Sequence, residues 1–185
     1  MAEPGARLFV AEDEDQQIMG YAIWKRKGTD QLAQEWLKDS LAHKMERKLI
    51  QFETLYYGFL DRAVNQQAKK QYAAARLGFY QRLEKTGYWH LQGLAVSPQH
   101  QRKGVGADLM QWGLKRASEE SIPATLESSI IARGLYAKLG FAVVEQKTIK
   151  DGLDNVGMLW EAERQKGIWL DVDDQGNTRL KNELP

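Results

Sequence analysis

The chain has 185 residues, 43% apolar and 28% charged, with 26 basic and 25 acidic side chains and a formal net charge of +1. That length suits one domain with a buried core, and the balanced charge gives no whole-protein field to attract nucleic acid or an anionic membrane. There is no cysteine, which removes disulfides, thiolate zinc sites and a cysteine nucleophile, and the three histidines (His43, His90, His100) make no metal-ligand cluster, so no metal is expected.

At the N-terminus, "MAEPGARLF" lacks a signal-peptide core, and no apolar run reaches the length of a membrane span. A cytoplasmic (or nuclear) enzyme or binding domain is the expectation. Residues 7–12 and 18–26 read as a β-hairpin, with the acidic run from Glu12 to Asp15 at its turn. Over 31–86 the character changes. Leu37, Leu41, Met45, Leu49, Phe52, Leu55, Phe59 and Leu60 recur three or four apart, followed by Tyr72, Leu77, Phe79, Tyr80 and Leu83, which predicts two or three amphipathic helices. The aromatic stripe Phe52, Tyr56, Phe59 and Tyr80 reads as core. The cations Lys44, Arg47, Lys48, Lys69 and Lys70 read as solvated helix faces. "TGYWHLQGLAV", 86–96, is a strand ended by Pro98. A helix follows over 104–120, then a strand at 122–128 and a helix over 130–140 that Gly140 stops. Strands over 141–149 and from "VGMLWEAE", joined by the turn "DGLDN", complete a domain spanning 1–165. Residues 166–185 form a tail or a small hairpin around Asp174–Gly176. This order predicts an α/β fold with a mixed sheet, carrying a helical insertion at 31–86.

The segment "AVSPQHQRKGVGADLM", 95–110, passes from strand through a glycine turn to the start of a helix. The first N–H groups of a helix have no internal partner, and the helix dipole favours negative charge there. Gly104 and Gly106 let an anion approach the main chain, and Arg102 and Lys103 add positive charge. A P-loop needs a lysine and a hydroxyl residue after its last glycine, where this chain has Ala107 and Asp108. A dinucleotide-binding turn needs a third glycine where Leu109 stands, although Glu127 lies at about the spacing of its ribose-binding acid.

A third reading fits both the glycines and what surrounds them. Val96, Pro98, Gln101, Gly104 and Gly106, followed by Ala107, resemble the acetyl-CoA-binding motif of the GNAT superfamily of N-acetyltransferases. "ARGLYAKLGF", 132–141, resembles a second block of that family, at the expected distance downstream. The 31–86 insertion resembles that of a fungal-type branch. The strand and two helices that the family places ahead of the first hairpin have no counterpart here. The resemblance implies a mixed, mostly antiparallel sheet splayed between its two central strands, flanked by helices. It implies acetyl-CoA as co-substrate. Its pyrophosphate would lie on the amides from Arg102 through Lys103, Gly104, Val105 and Gly106 to Ala107. Its pantetheine arm would pair with the main chain of Leu94, Ala95 and Val96. The Leu94 N–H would face the thioester carbonyl. Ser129 stands where many relatives have an asparagine that touches the coenzyme arm.

Acyl transfer to an amine needs a base, an oxyanion donor and a proton donor for the leaving thiolate. The resemblance makes Tyr136 that donor. The base is His90, at the place of a catalytic carboxylate in many relatives, or Glu127, which ends the next strand. Strand alternation puts 90, 92, 94 and 96 on one face, barring a bulge. The function implied is direct transfer of an acetyl group to a primary amine of a small molecule, peptide or protein, since no cysteine exists to carry an acyl group. A coenzyme-A-binding module without catalysis is the alternative. A homodimer through the last strands is also implied.

Overall fold

The computed structural model describes residues 3–38, 40–60, 66–150, 153–173 and 177–184. Its order is β1 (Ala6–Glu12), β2 (Ile18–Lys27), α1 (Gln31–Trp36), α2 (Leu41–Leu60), α3 (Gln66–Ala74), α4 (Phe79–Leu83), β3 (Tyr88–Val96), α5 (Val105–Glu120), β4 (Ala124–Ser128), α6 (Arg133–Lys138), β5 (Ala142–Lys150), β6 (Leu153–Trp160), β7 (Leu170–Val172) and β8 (Thr178–Leu180). The first six sheet strands stand in the order β1-β2-β3-β4-β6-β5, and β7 and β8 form a separate hairpin. Among the described residues, only β3 and β4 pair in parallel.

Period-two alternation decides the faces. In β2, Gly20, Ala22, Trp24 and Arg26 are buried, and Ala22 and Trp24 join Trp89, Leu91, Leu109, Met110, Leu114, Leu126 and Tyr136 in one core between the sheet and α5. Gly113 of α5 faces Trp24 so closely that a Cβ there would lie 2.2 Å from the indole. The opposite face carries a smaller core of Leu77, Phe79, Leu83, Tyr88, Leu159, Trp169 and Leu180, with Tyr80 packed against it. The tail therefore supplies Trp169 and Leu180 to a core built by α4, β3 and β6. The turn expected at Asp174–Gly176 lies outside the described residues.

At its far end the sheet is closed by a buried cation. The Arg26 guanidinium bonds Glu120 at 2.7 Å and Asp30 at 2.9 Å. Glu120 also accepts from the Trp89 indole N–H at 2.9 Å. One side chain thus joins β2, α1, α5 and, through Glu120, β3.

The helical region differs from expectation. Among the described residues it forms four helical segments, where two or three helices were expected. The apolar stripe of α2 is solvated where it is described: Leu41, Met45, Leu49 and Phe52 are 79%, 67%, 70% and 74% exposed. Phe52 is thus not a core residue; the side chains of Tyr56 and Phe59 lie outside the described set, and Tyr80 is half-buried. Among the described residues no helix is long and apolar enough to cross a membrane. The helix expected over 130–140 is shorter, because Ser129 to Ala132 form its approach and Ile130 and Ile131 stay exposed.

Candidate active site

The site grows from a ladder that stops. β3 and β4 share three residue pairs, Trp89↔Ala124, His90↔Thr125 and Leu91↔Leu126. Beyond them β3 continues to Val96 beside β2, and β4 continues to Ser128 beside β6. The two central strands therefore diverge, as the sequence resemblance implies.

The edge of β3 that faces this gap is polar main chain. Ser97 N–H donates to Met19 C=O at 2.8 Å, in register with the pair Gly20↔Val96. Antiparallel pairs alternate between hydrogen-bonded and non-bonded, so Ala95 spends its N–H and C=O on β2, while those of Leu94 and Val96 point into the gap. Two contacts agree. A Cβ on Gly20 would lie 2.6 Å from the Ala95 oxygen, which therefore points at β2. Gln101 Nε2 donates to the Val96 C=O at 3.1 Å from the other side. The polar atoms of Leu94 and the N–H of Val96 are thus open to an incoming strand-like ligand, while the Val96 C=O is held by Gln101. Ala95, expected to join them, has its polar atoms committed to the sheet.

The turn after Pro98 carries the second feature. Arg102 and Gly104 both adopt positive φ, +61° and +93°, a conformation that concentrates main-chain N–H groups into an anion-binding hollow. Among the described residues the N–H groups of Arg102, Lys103, Gly104, Val105 and Gly106 take no acceptor, whereas that of Ala107 is given to Gly104 C=O at 2.8 Å. The two glycines differ in purpose. A Cβ on Gly104 would meet nothing within 4 Å, so this hollow is open. A Cβ on Gly106 would meet Leu135 at 3.3 Å and Val96 at 3.7 Å; its small size serves packing of α5 on α6 and β3. Arg102 and Lys103 are exposed beside the hollow. Five amides, an open glycine and two cations fit a diphosphate.

A bulge rearranges the residues around the gap. Ile23 pairs with Gly93 but Trp24 pairs with Leu91, so Gln92 is the extra residue. Leu91 and Leu94 consequently share the α5 face, while His90, Gly93 and Ala95 lie on the other. The alternation that would place 90, 92, 94 and 96 together is broken at Gln92. Tyr136 belongs to the α5 face, buried in the larger core with its ring 6.0 Å from that of Phe141. Its hydroxyl has no hydrogen-bond partner among the described residues, and burial raises its pKa, keeping it protonated. Glu127 stands on the opposite face, half-buried and paired with Gly157.

His90 shares that face but is deeply placed. Its Nδ1 lies 3.1 Å from Thr125 Oγ1, and its ring meets those of Tyr80 and Tyr88 edge-on. Burial pushes its pKa down to about 3, helped by the charges of Lys27 and Lys25. It is a neutral imidazole across the physiological range. The Ser129 hydroxyl accepts from Ala132 N–H at 3.4 Å at the approach to α6.

Glu3 is a site neighbour that sequence reasoning missed. Its carboxylate accepts from Lys25 Nζ at 2.6 Å and from Gln92 Nε2 at 3.0 Å, and chiefly the Lys25 bond lowers its pKa. Nothing local in the sequence links residue 3 to residue 92; only the register of β1, β2 and β3 does. Among the described residues no group of three or more histidine, aspartate and glutamate side chains is arranged to hold a metal ion.

The model of a family described as an acetyltransferase (GNAT) domain matches residues 26–162. Solved structures of similar shape include a polyamine N-acetyltransferase from Drosophila melanogaster, which forms N-acetylagmatine (14% identity, 84% of this chain, 74% of that one, TM-score 0.53). A Naa20 from Chaetomium thermophilum in complex with a bisubstrate analogue is another (15% identity, 91% and 72%, TM-score 0.49). So is a histone acetyltransferase HPA2 and related acetyltransferase from Corynebacterium glutamicum (22% identity, 85% of this chain, TM-score 0.48), of whose length this chain spans 66%. With a family match covering most of its length and the splayed sheet to go with it, the chain belongs to the GNAT acetyltransferase family.

Proposed function

We propose that the chain is an N-acyltransferase that takes acetyl-CoA and passes the acetyl group directly to a primary amine within a ternary complex. The observation that carries this reading is the set of five unpartnered amides from Arg102 to Gly106 around the open Gly104. The coenzyme's thioester supplies an activated acyl group. The hollow holds its diphosphate, with Arg102 and Lys103 adding charge. The outward main chain of Leu94 and Val96 receives the pantetheine arm, and Leu94 N–H stabilises charge on the thioester oxygen. Ser129, at the end of the gap, adds a contact to that arm.

The two faces of the sheet divide the remaining work. Glu127 accepts the proton of the amine, directly or through a water, from the face opposite α5. Tyr136 donates its proton to the departing sulfur from the α5 face. A histidine with a pKa near 3 is a weak base, so His90 serves as a neutral partner of Thr125 that fixes β3 against β4. The acceptor is an amine of a small molecule, peptide or protein.

Release of thiol with a panel of amines tests this reading. Tyr136→Phe lowers kcat by about 10²-fold, the usual scale of one acid–base group, and leaves acetyl-CoA affinity within about twofold. Binding of acetyl-CoA without thiol release from any amine would leave a coenzyme-binding module in place of an enzyme.

A further inference from the structure

Beside the gap, the face of the sheet opposite α5 is apolar and, among the described residues, partly exposed. Leu8 pairs with Ile23 and Val10 with Tyr21. Ile23 continues to Gly93, and Tyr21 to Ala95. These two rows flank the level of Leu94. Leu8, Val10 and Tyr21 are 59%, 43% and 40% exposed, on a face where sheet proteins ordinarily bury such residues. The side chains of Ile23 and Tyr21 lean over Gly93, reaching 3.9 Å and 4.0 Å from where a Cβ would sit. The side-chain-poor positions 93 and 95 therefore form a floor, with the Tyr21 ring and the aliphatic chains of Leu8, Val10 and Ile23 as its wall. The floor leads straight to the main chain assigned to the thioester.

The charges on this face balance, so its apolar wall decides what it accepts. Lys25 lies on the same face, opposite His90 in the ladder, and Lys27 lies opposite Tyr88. Glu3, the carboxylate nearest the bulge, is already held by Lys25 and Gln92. Lys25 is paired with Glu3, and Lys27 lies in the field of Glu127, so the additional ammonium groups of a longer chain would have to desolvate against the apolar wall. A single amine on an apolar body brings none beyond the one that reacts.

Resting on the acyltransfer reading above, we propose that the acceptor is a monoamine with an aromatic or aliphatic body, seated on the apolar outer face of β1–β2 with its nitrogen directed over Gly93 into the gap. Phenethylamine is the probe and spermidine the contrast. Thiol release with phenethylamine should exceed that with spermidine by about tenfold or more in kcat/KM. Val10→Lys, on an edge strand and outside both cores, should raise KM for phenethylamine about tenfold, in the range that one apolar pocket contact controls. KM for acetyl-CoA should stay within about twofold, and Leu8→Lys should act in the same direction. Preference for spermidine, or a KM for phenethylamine unmoved in both variants, overturns the proposal while leaving acyl transfer intact. So does a shift from dimer to monomer in Val10→Lys, which would give this face to a second copy of the chain. Should no amine release thiol, a calorimetric titration of phenethylamine into the coenzyme A-loaded protein decides: binding lost in Val10→Lys supports the surface, and no binding in the parent chain ends it.

Discussion

His90 faces two tyrosine rings and a threonine hydroxyl, with Lys25 and Lys27 as the nearby cations and Glu3 as the compensating anion. Such surroundings disfavour the imidazolium. Its folded pKa, about 3, lies below the ordinary 6.5, so the unfolded chain binds a proton there that the folded chain refuses. The stability contributed is complete above pH 6.5 and is lost as pH falls through that value toward 3. Melting curves between pH 7.5 and 4.5 should therefore show a steep acid-side decline that His90→Gln flattens. Equal slopes in the two proteins would contradict the burial assigned to His90. This residue also shows where sequence reading stopped. That His90 lies on the strand ending at Val96 was legible, but its separation from Leu94 and Val96 depends on the bulge at Gln92. A bulge arises from the register of the neighbouring strand and leaves no mark in "WHLQGLAV" beyond an ordinary glycine. Gly104 with the amides around it, and Tyr136 on its own helix, could be placed as candidates because each stands in a block that is continuous in sequence.

The elements were read most accurately where local pattern and packing agree. β2 alternates in sequence and in burial, and α5 presents Leu109, Met110 and Leu114 to the sheet as their spacing requires. α2 is the exception. Its heptad-like stripe is indistinguishable by periodicity from a buried helix face, yet Leu41, Met45, Leu49 and Phe52 meet solvent. Periodicity shows that a helix has an apolar side and says nothing about what lies against it. A substitution separates the two situations. Leu49→Glu should change Tm by no more than about 2 °C, as surface changes away from special features do. A fall of about 6 °C or more would place Leu49 in a packed interface instead.

At the scale of the molecule, one arrangement makes the site. The family resemblance carried the splayed sheet into the sequence reading, since no residue pattern states that a ladder ends after three pairs. The divergence follows from topology: β3 is held by antiparallel β2 and β4 by antiparallel β6, and each outer ladder continues where the parallel one stops. Far from the gap, Arg26 binds β2, α1 and α5 through Asp30 and Glu120, anchoring the closed end of the sheet while the other end opens. Glu3 and the apolar face of β1–β2 reach the gap by the same topology and were invisible in the linear sequence.

The open end has one purpose in this account, to receive a coenzyme whose diphosphate rests on the amides around Gly104. Calorimetric titration of acetyl-CoA into the parent chain and into Gly104→Ala tests it directly. The added methyl meets open space, so only the backbone at φ +93° is disturbed, a strain of about 1–2 kcal/mol for a residue with a Cβ. Saturable one-site binding that weakens about tenfold in Gly104→Ala is the expected result. No binding at millimolar acetyl-CoA, or equal affinity in the two proteins, would contradict it.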